Sequence, residues 1–262
     1  MKKTQLATFI LFFFVASLRA QVNETVFQSL DPKAILESLF DASSVDVNGL
    51  AAWKPNFSER MYFPVSNDGF CYTKLDTIIN FEEASEQNVL LIFKTYLIEK
   101  GQPTNVFAMS TAIFNKLSDA TRWKVDWFYK EVFYDSGATI TGSFKLIKII
   151  GGGNWIDSLN FITERIKNKI ITREEYFYSL YNPARIFSCF TYISNTEDPD
   201  KAKHFGFRAN IKIIPTSSWS ILEVSCKGTD RDYPTGKIYD VSGTHRYLYD
   251  SNAGAFVRKD RN

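Results

Sequence analysis

The sequence predicts an α+β protein made of two tandem copies of one domain, in which helices cover a curved antiparallel sheet. The first observation is a pair of stretches, residues 141–161 and residues 242–262, which align without a gap and each run as strand, Gly/Asn turn and strand. The second observation is a tryptophan-led strand upstream of each stretch, beginning at Trp123 and at Trp219. The third is a helical spacing of apolar residues near the start of the first copy.

Three helices are predicted in domain 1, which covers residues 31–162, and one or two in domain 2, which covers residues 163–262. Asp31 can accept hydrogen bonds from the free backbone N–H groups at a helix start, and Pro32 suits the first helical position. Four apolar residues then form one helix face: Ile35, Leu36, Leu39 and Phe40. The other helices are expected at residues 47–53, at residues 74–81 and within residues 163–182.

The remaining apolar segments are predicted to be strands. In residues 123–134, the even spacing of apolar residues from Trp123 to Tyr129, with Lys124 and Asp126 between them, is typical of a half-buried antiparallel strand. Residues 88–99 fit a buried strand or a helix, and their content of Leu, Ile, Phe and Tyr favours a strand. Further strands are expected at residues 60–65, 106–116, 143–161 (a hairpin), 185–194, 205–214 and 219–226, and in a final hairpin.

This order of elements in the first copy resembles a nuclear transport factor 2-like domain. The resemblance is carried by the helix AILESLF, the turn WKPNF into RMYF, the segment KLDTIINF and the closing hairpin SFKLIKIIGGGNWIDSLNF. It implies a curved sheet that wraps N-terminal helices into a cone with an internal cavity. It covers residues 31–161 and extends less fully over residues 164–262, where the first helices are compressed and the third is missing.

The start of the chain resembles a secretory signal peptide. Lys2 and Lys3 precede an apolar run from Leu6 to Leu18, and Ala20 suits the last position before cleavage. The run is shorter than the roughly 20 apolar residues that span a bilayer. We therefore expect a signal peptide at residues 1–20, an N-terminal tail at residues 21–30 and a secreted, extracellular protein.

Removal of this signal changes the charge of the chain. The full sequence carries 31 Lys and Arg residues against 29 Asp and Glu residues, and three of the basic residues lie within residues 1–20. The mature chain would therefore hold 28 basic and 29 acidic residues, a net charge of −1. This balance argues against a nucleic-acid-binding surface. No later stretch is long and apolar enough to span a membrane.

Export would place Cys71, Cys189 and Cys226 in an oxidising compartment. Cys189 and Cys226 both lie in predicted strands of domain 2, so a Cys189–Cys226 disulfide is the preferred pairing. Three cysteines allow three single pairings, and the sequence alone does not choose among them. Asn23 and Asn56 each begin an N-glycosylation triplet, Asn-Glu-Thr and Asn-Phe-Ser.

The sequence contains no convincing catalytic set, and neither a metal nor another cofactor is expected. The two histidines are His204 and His245, and no CxxC pair is present, which argues against a metal site. The resemblance implies cavity-facing Asp/His pairs in the members that are isomerases or dehydratases, and Asp157 and His245 are the candidates for such a role. The glycines at residues 151–153 lie between strands without a following Lys-Ser/Thr, so they indicate a turn and not a phosphate loop.

Aromatic residues make up 16% of the chain, and a cone with aromatic walls could hold an apolar small molecule. The predicted ligand pocket of domain 1 consists of Trp123, Trp127, Tyr129, Trp155 and Asp157.

Our primary hypothesis is a secreted, non-catalytic binding or interaction protein with an unknown extracellular partner. The first alternative is an extracellular carrier of a small apolar ligand, for which a lipocalin-type fold is the rival architecture. The second alternative is a cone-type isomerase or hydrolase. We expect either a monomer whose two copies form an internal pseudo-dimer or a homodimer.

Overall fold

The computed structural model describes residues 25–83, 85–119, 121–151, 153–195 and 204–259. The structure is 66% strand and 5% helix, and its strands form two curled antiparallel sheets. The predicted α+β class, with helix-packed cones, is therefore wrong. The chain divides into two compact units, which we call unit 1 (Met1–Ser136) and unit 2 (Gly137–Asn262).

Unit 1 holds a seven-stranded sheet in the order β1-β7-β6-β5-β4-β3-β2. Lys100 and Gly101 both have positive φ and form the tight turn of the hairpin between β5 and β6. The elements of unit 1 are β1 (Val26–Phe27), α1 (Pro32–Phe40), β2 (Ser44–Val45), β3 (Ala51–Trp53), a 3₁₀ turn (Glu59–Met61), β4 (Phe70–Glu83), β5 (Glu86–Glu99), β6 (Gln102–Lys116) and β7 (Trp123–Ser136).

Helix α1 confirms the first helix predicted from the sequence. The backbone N–H of Ala34 donates to the Asp31 carboxylate at 3.2 Å, and Pro32 occupies the first turn. The helix ends at Asp41, which takes the left-handed conformation. All four residues of the predicted apolar face are buried: Ile35, Leu36, Leu39 and Phe40.

The core of unit 1 forms where α1 packs on the inner face of its sheet. Phe40 is fully buried, and its ring centroid lies 5.3 Å from that of Phe93 and 5.4 Å from that of Phe128. Trp53 also contacts Phe40, at 5.6 Å, and its indole N–H donates to the Thr73 hydroxyl at 2.8 Å. The space inside this sheet is therefore filled by side chains of the helix and the strands.

A lysine secures the loop that contains the 3₁₀ turn. The Lys130 amine on β7 lies 2.6 Å from the Glu59 carboxylate and 4.4 Å from the centroid of the Trp53 ring. The two charged side chains are 17% and 23% exposed, so the ion pair is shielded from most solvent. Because Glu59 also accepts a hydrogen bond from the backbone N–H of Asn56, one carboxylate joins this loop to the sheet.

Unit 2 holds a nine-stranded sheet in the order β16-β15-β13-β12-β11-β10-β9-β8, and β14 pairs with β13. Its strands are β8 (Ala138–Gly151), β9 (Asn154–Lys167), β10 (Ile170–Ser179), β11 (Arg185–Ser194), β12 (Gly206–Pro215), β13 (Ser220–Arg231), β14 (Ile238–Asp240), β15 (Gly243–Asp250) and β16 (Ala255–Arg258).

The sheet of unit 2 curls until the end of β8 meets the start of β13. The backbone N–H of Ile150 donates to the Ser220 hydroxyl at 2.9 Å, and the N–H of Gly153 donates to the Ser218 carbonyl at 3.2 Å. Four strands separate β8 from β13 within the sheet, so these contacts require strong curvature. The face inside the curl, which we call the inner face of unit 2, carries an apolar cluster: Ile149, Phe177, Ile186, Phe187, Leu222, Val224 and Phe256.

The two matched stretches do not belong to two copies of a domain. They form the hairpins β8–β9 and β15–β16, which lie at opposite edges of the one sheet of unit 2. Their turns differ, because Gly151 pairs with Asn154 in the first hairpin, whereas Asp250 pairs with Ala255 in the second. The division between the units falls after Ser136, and β9 spans the domain boundary expected at residues 162–163.

The helices predicted at residues 47–53, at residues 74–81 and within residues 163–182 are wrong, and β4 shows one physical reason. Leu75 and Ile78 have helical spacing, but Leu75 pairs with Phe93 and Ile78 pairs with Leu91, two core positions of the same face. A bulge between Leu75 and Thr77 inserts one residue, so side chains three apart share a face of the strand. The bulge thus imitates the periodicity of a helix.

The other errors have local causes. Residues 163–182 form the end of β9, all of β10 and the bend that follows it, and a tight turn in which Asn168 and Lys169 have positive φ joins the two strands. The helix predicted at residues 47–53 is a loop and β3, and the strand predicted at residues 60–65 is replaced by the 3₁₀ turn and a loop. The strands predicted at the following ranges are confirmed: residues 88–99, 106–116, 123–134, 143–161, 185–194, 205–214 and 219–226.

Replacing Lys130 with Met should lower the free energy of unfolding by about 2 kcal/mol, because Glu59 loses its partner and Trp53 loses its cation. Urea denaturation followed by tryptophan fluorescence measures this value. The control is Lys148→Met, whose amine is 58% exposed and 3.9 Å from Asp157. It should change the free energy of unfolding by less than about 0.5 kcal/mol. Equal losses in the two variants would contradict a special role for the Lys130 pair.

Candidate ligand-binding site

The five residues of the predicted pocket are divided between the two units. Three of them lie on β7 of unit 1, where Trp123 packs against the core that contains α1. Trp127 and Tyr129 stack in parallel, with centroids 6.0 Å apart. They lie on either side of Phe128, which packs in the core with α1. Because neighbouring residues of a strand point to opposite faces, Trp127 and Tyr129 lie on the face opposite to α1.

The other two predicted pocket residues lie on β9 of unit 2. Trp155 is 64% exposed beside the β8–β9 turn. Asp157 follows on the same face, and its carboxylate lies 3.9 Å from the Lys148 amine. Ile156, between them, packs against the inner cluster, so Trp155 and Asp157 point to the outer face of unit 2.

Asp157 and His245 do not form the inward-facing pair that the family resemblance implied. His245 on β15 pairs with Val224, a member of the inner cluster, so it lies on the inner face of unit 2. An Arg258 N–H group lies 2.6 Å from the His245 Nδ1 atom and donates to it. An arginine side chain can only donate, so the Nδ1 atom of His245 is the acceptor of this contact. His204 lies outside the strands, next to the start of β12.

Unit 2 contains an open cavity on its inner face, with a volume of about 380 Å³. Side chains from β8, β9, β10 and β12 line it, although β8 and β12 are not neighbours in the sheet. The curl of the sheet therefore creates the cavity. The lining residues are Thr141, Gly142, Ser143, Lys145, Asn160, Ile162, Glu175, Ala209, Asn210 and Ile211.

An irregularity in β8 shapes one wall of this cavity. Thr141 pairs with Ile162 and Lys145 pairs with Asn160, so three residues of β8 face a single residue of β9. Gly142 lies in this bulge with a φ of +77°, a conformation that glycine adopts without strain. Because bulges redirect side chains, this segment brings two hydroxyl groups and one amine to the cavity.

A buried amide fixes the carboxylate of the cavity. Asn160 is 4% exposed, and its side-chain amide donates to the Glu175 carboxylate at 2.9 Å and to the Tyr176 carbonyl at 3.1 Å. Both N–H groups of the amide are therefore used, and the Glu175 carboxylate is held at the cavity wall by one hydrogen bond. A carboxylate has acceptor positions beyond that one, so Glu175 can still accept from a ligand.

Other polar side chains around the cavity have no partner within the described part of the protein. Lys145 is exposed and forms neither an ion pair nor a hydrogen bond with any described residue. The side chains of Thr141 and Ser143 likewise form no hydrogen bond with any described residue. A lysine amine can donate three hydrogen bonds, and a hydroxyl group can both donate and accept. The cavity thus offers one anion, one cation and several neutral polar groups to a bound molecule.

All three cysteines are unpaired in the structure, so the predicted Cys189–Cys226 disulfide is not present there. Cys189 on β11 and Cys226 on β13 flank β12, and both pack against the inner cluster of unit 2. Burial, and secondly the negative charge of Glu175, raise the pKa of the Cys189 thiol to about 12. Burial in unit 1 likewise raises the pKa of the Cys71 thiol to about 12.

Comparison with protein-family models, with curated proteins and with solved structures finds no match. The resemblance to nuclear transport factor 2-like domains therefore stays a prediction. Among the described residues there is no cluster of His, Cys, Asp and Glu suited to a metal ion. No helix in the described ranges has the length and apolar character needed to cross a membrane.

The buried thiols predict a loss of stability at alkaline pH. An unfolded cysteine has an ordinary pKa of 9.0, whereas the folded Cys71 keeps its proton up to about pH 12. Between these values the unfolded state binds fewer protons, so the free energy of unfolding falls as the pH rises. Cys71→Ala removes this contribution.

The wild type and Cys71→Ala should therefore differ in their free energy of unfolding by a constant amount below pH 9 and by a smaller amount above pH 9. Urea denaturation at a series of pH values, in the presence of a reductant, measures this difference. The data below pH 9 are the internal control, because the thiol is protonated in both states. A difference that stays constant up to pH 11 would contradict the assignment.

Proposed function

We propose that this protein is an exported, non-catalytic binding protein that holds a small polar molecule in the cavity of unit 2. The observation that carries the proposal is the set of polar side chains around the cavity that have no partner among the described residues. Polar groups that face a cavity in this way are satisfied by water or by a ligand. The volume of about 380 Å³ lies in the range of small-molecule sites.

Three features of the cavity support specific binding. The bulge in β8 places two hydroxyl groups and an amine on one wall, while the Asn160 amide orients the Glu175 carboxylate on another. Ile162, Ala209 and Ile211 add apolar surface. All of these residues lie on paired strands, which hold side chains more firmly than loops do.

The alternative function, a carrier that binds an apolar ligand in domain 1, has less support. The inner face of unit 1 is occupied by α1, and Phe40 and Phe93 meet there with less than 1% exposure. The enzyme alternative also has less support, because Asp157 and His245 lie on opposite faces of the sheet of unit 2. General acid–base catalysis requires both groups on the side that binds the substrate.

Export is the second part of the proposal, and it concerns residues 1–20, which lie outside the described ranges, as does Asn23. The Asn56 triplet supports it. Asn56 is exposed, its carbonyl oxygen accepts from the Ser58 hydroxyl at 2.7 Å, and Phe57 is 94% exposed. The amide nitrogen that carries an N-linked glycan is thus presented on the surface of a loop.

Expression in a eukaryotic secretion host should yield a protein that carries an N-linked glycan at Asn56. Peptide mapping before and after enzymatic deglycosylation measures the occupancy of this residue. Asn56→Gln should lose one glycan mass and keep the same circular dichroism spectrum, since the side chain is exposed. An unmodified Asn56 in secreted protein that carries a glycan at another residue would contradict the assignment of this site.

Binding itself is tested by filling the cavity. Native mass spectrometry of protein from the same host should detect a non-covalent ligand, and Ala209→Trp should abolish it because the indole occupies the cavity. The control is Ser251→Trp, which lies in the exposed turn between β15 and β16 and should bind as the wild type does. Circular dichroism checks that both variants fold.

A screen of polar metabolites by thermal shift supplements this experiment, since a ligand raises the melting temperature of a protein that binds it. Stabilisation of the wild type and of Ser251→Trp, but not of Ala209→Trp, would support the proposal. A wild type that carries no ligand and is stabilised by no compound of the screen would overturn it. Equal stabilisation of all three proteins would place the binding site outside the cavity.

A further inference from the structure

The charges of the cavity are arranged in a way that limits the class of ligand. Lys145 on β8 and Asn160 on β9 are directly paired across the two strands. Glu175 lies on β10, the next strand, and is joined to Asn160 by the hydrogen bond of 2.9 Å. The cation and the anion thus stand on either side of one neutral amide, on the same face of three neighbouring strands.

Lys145 and Glu175 form no ion pair with each other or with any other described residue. Asn160 lies on β9, the strand between theirs, and its amide holds the Glu175 carboxylate. Two opposite charges kept apart on one wall are complementary to a molecule that itself carries two separated opposite charges. Such a molecule gains a charge-assisted hydrogen bond at each end.

Other ligand classes fit this cavity less well. A simple anion would meet the Glu175 carboxylate, and a simple cation would meet the Lys145 amine, so each would face a like charge. Sugars stack on aromatic rings in many binding sites, because a ring face covers their C–H groups, yet none of the lining residues is aromatic. An uncharged apolar molecule would leave both charges without partners.

We propose that the cavity binds a zwitterion, specifically a free α-amino acid with an aliphatic side chain. This inference rests on the proposed function and names its ligand class. The ammonium group of the ligand donates to Glu175, and its carboxylate accepts from Lys145. The aliphatic side chain packs against Ile162, Ala209 and Ile211.

Isothermal titration calorimetry with three related compounds separates the two charges. The probes are L-leucine, L-leucinamide, which lacks the carboxylate, and 4-methylpentanoate, which lacks the amine. The wild type should bind L-leucine at least about tenfold more tightly than either of the other two, since each of them loses a charge-assisted hydrogen bond. Binding of L-leucine should be abolished by Ala209→Trp.

Two variants assign each charge to its residue. Lys145→Met should weaken the binding of L-leucine by about tenfold or more and should not weaken the binding of L-leucinamide, because that probe has no carboxylate and loses a like charge at the site. Glu175→Gln should likewise weaken the binding of L-leucine and should not weaken the binding of 4-methylpentanoate, because that probe has no amine and loses a like charge at the site. The controls are Lys148→Met on the same strand as Lys145 and Glu223→Gln, whose carboxylate pairs with Arg246 on the outer face. Both controls should bind L-leucine as the wild type does.

The outcomes distinguish this inference from the proposed function. Equal affinity of the wild type for the three probes, or an equal loss in both charge variants for all probes, would overturn the zwitterion and leave a polar-ligand site. The same conclusion would follow if the metabolite screen returned only sugars and the Ala209→Trp variant lost that binding. Absence of binding by L-leucine, by both analogues and by the whole screen would overturn the inference and the proposed function together.

Discussion

The need to bury one face of a long antiparallel sheet governs both units of this protein. In unit 1 a single helix meets this need, because the apolar face of α1 fills the inner side of the sheet around Phe40. Unit 2 has no helix among its described residues, so its sheet curls until its own apolar side chains meet. The hydrogen bonds from Ile150 to Ser220 and from Gly153 to Ser218 hold that curl at one end. Without curvature of this kind, the inner cluster of unit 2 would face water.

The candidate site is a consequence of the same curl. Apolar residues such as Phe187 and Leu222 close part of the inner face, and the polar residues of β8, β9 and β10 remain around an open cavity. The bulge at Gly142 directs side chains into that space, and the Asn160 amide keeps the Glu175 carboxylate in place. Rigid strands therefore present an anion and a cation that do not neutralise each other. An arrangement of this kind is suited to recognition of a charged small molecule, since its polar groups are oriented before a ligand arrives.

Local patterns in the sequence predicted the strands well and the helices poorly. Alternation of apolar and polar residues from Trp123 to Tyr129 indicated β7, and the Asp31-Pro32 pair indicated the start of α1, because both signals act between near neighbours in the chain. The helix predicted around Leu75 and Ile78 failed because a bulge changed the spacing along β4. The matched hairpins suggested two domains, yet both belong to one sheet. Similar hairpins arise wherever adjacent strands need a tight turn, so their likeness carries no information on their placement.

The sequence by itself determined where most strands lie, how α1 begins and which of its residues are buried. Those features depend on hydrogen bonds and side-chain periods within a few residues. Only the tertiary structure decided that Lys130 meets Glu59, 71 residues away, and that Lys145, Asn160 and Glu175 line one cavity. Each of these groupings depends on the order of strands in a sheet and on the degree of its curl. Strand order and curvature are set by the burial of the whole apolar face, which no short segment of the chain encodes.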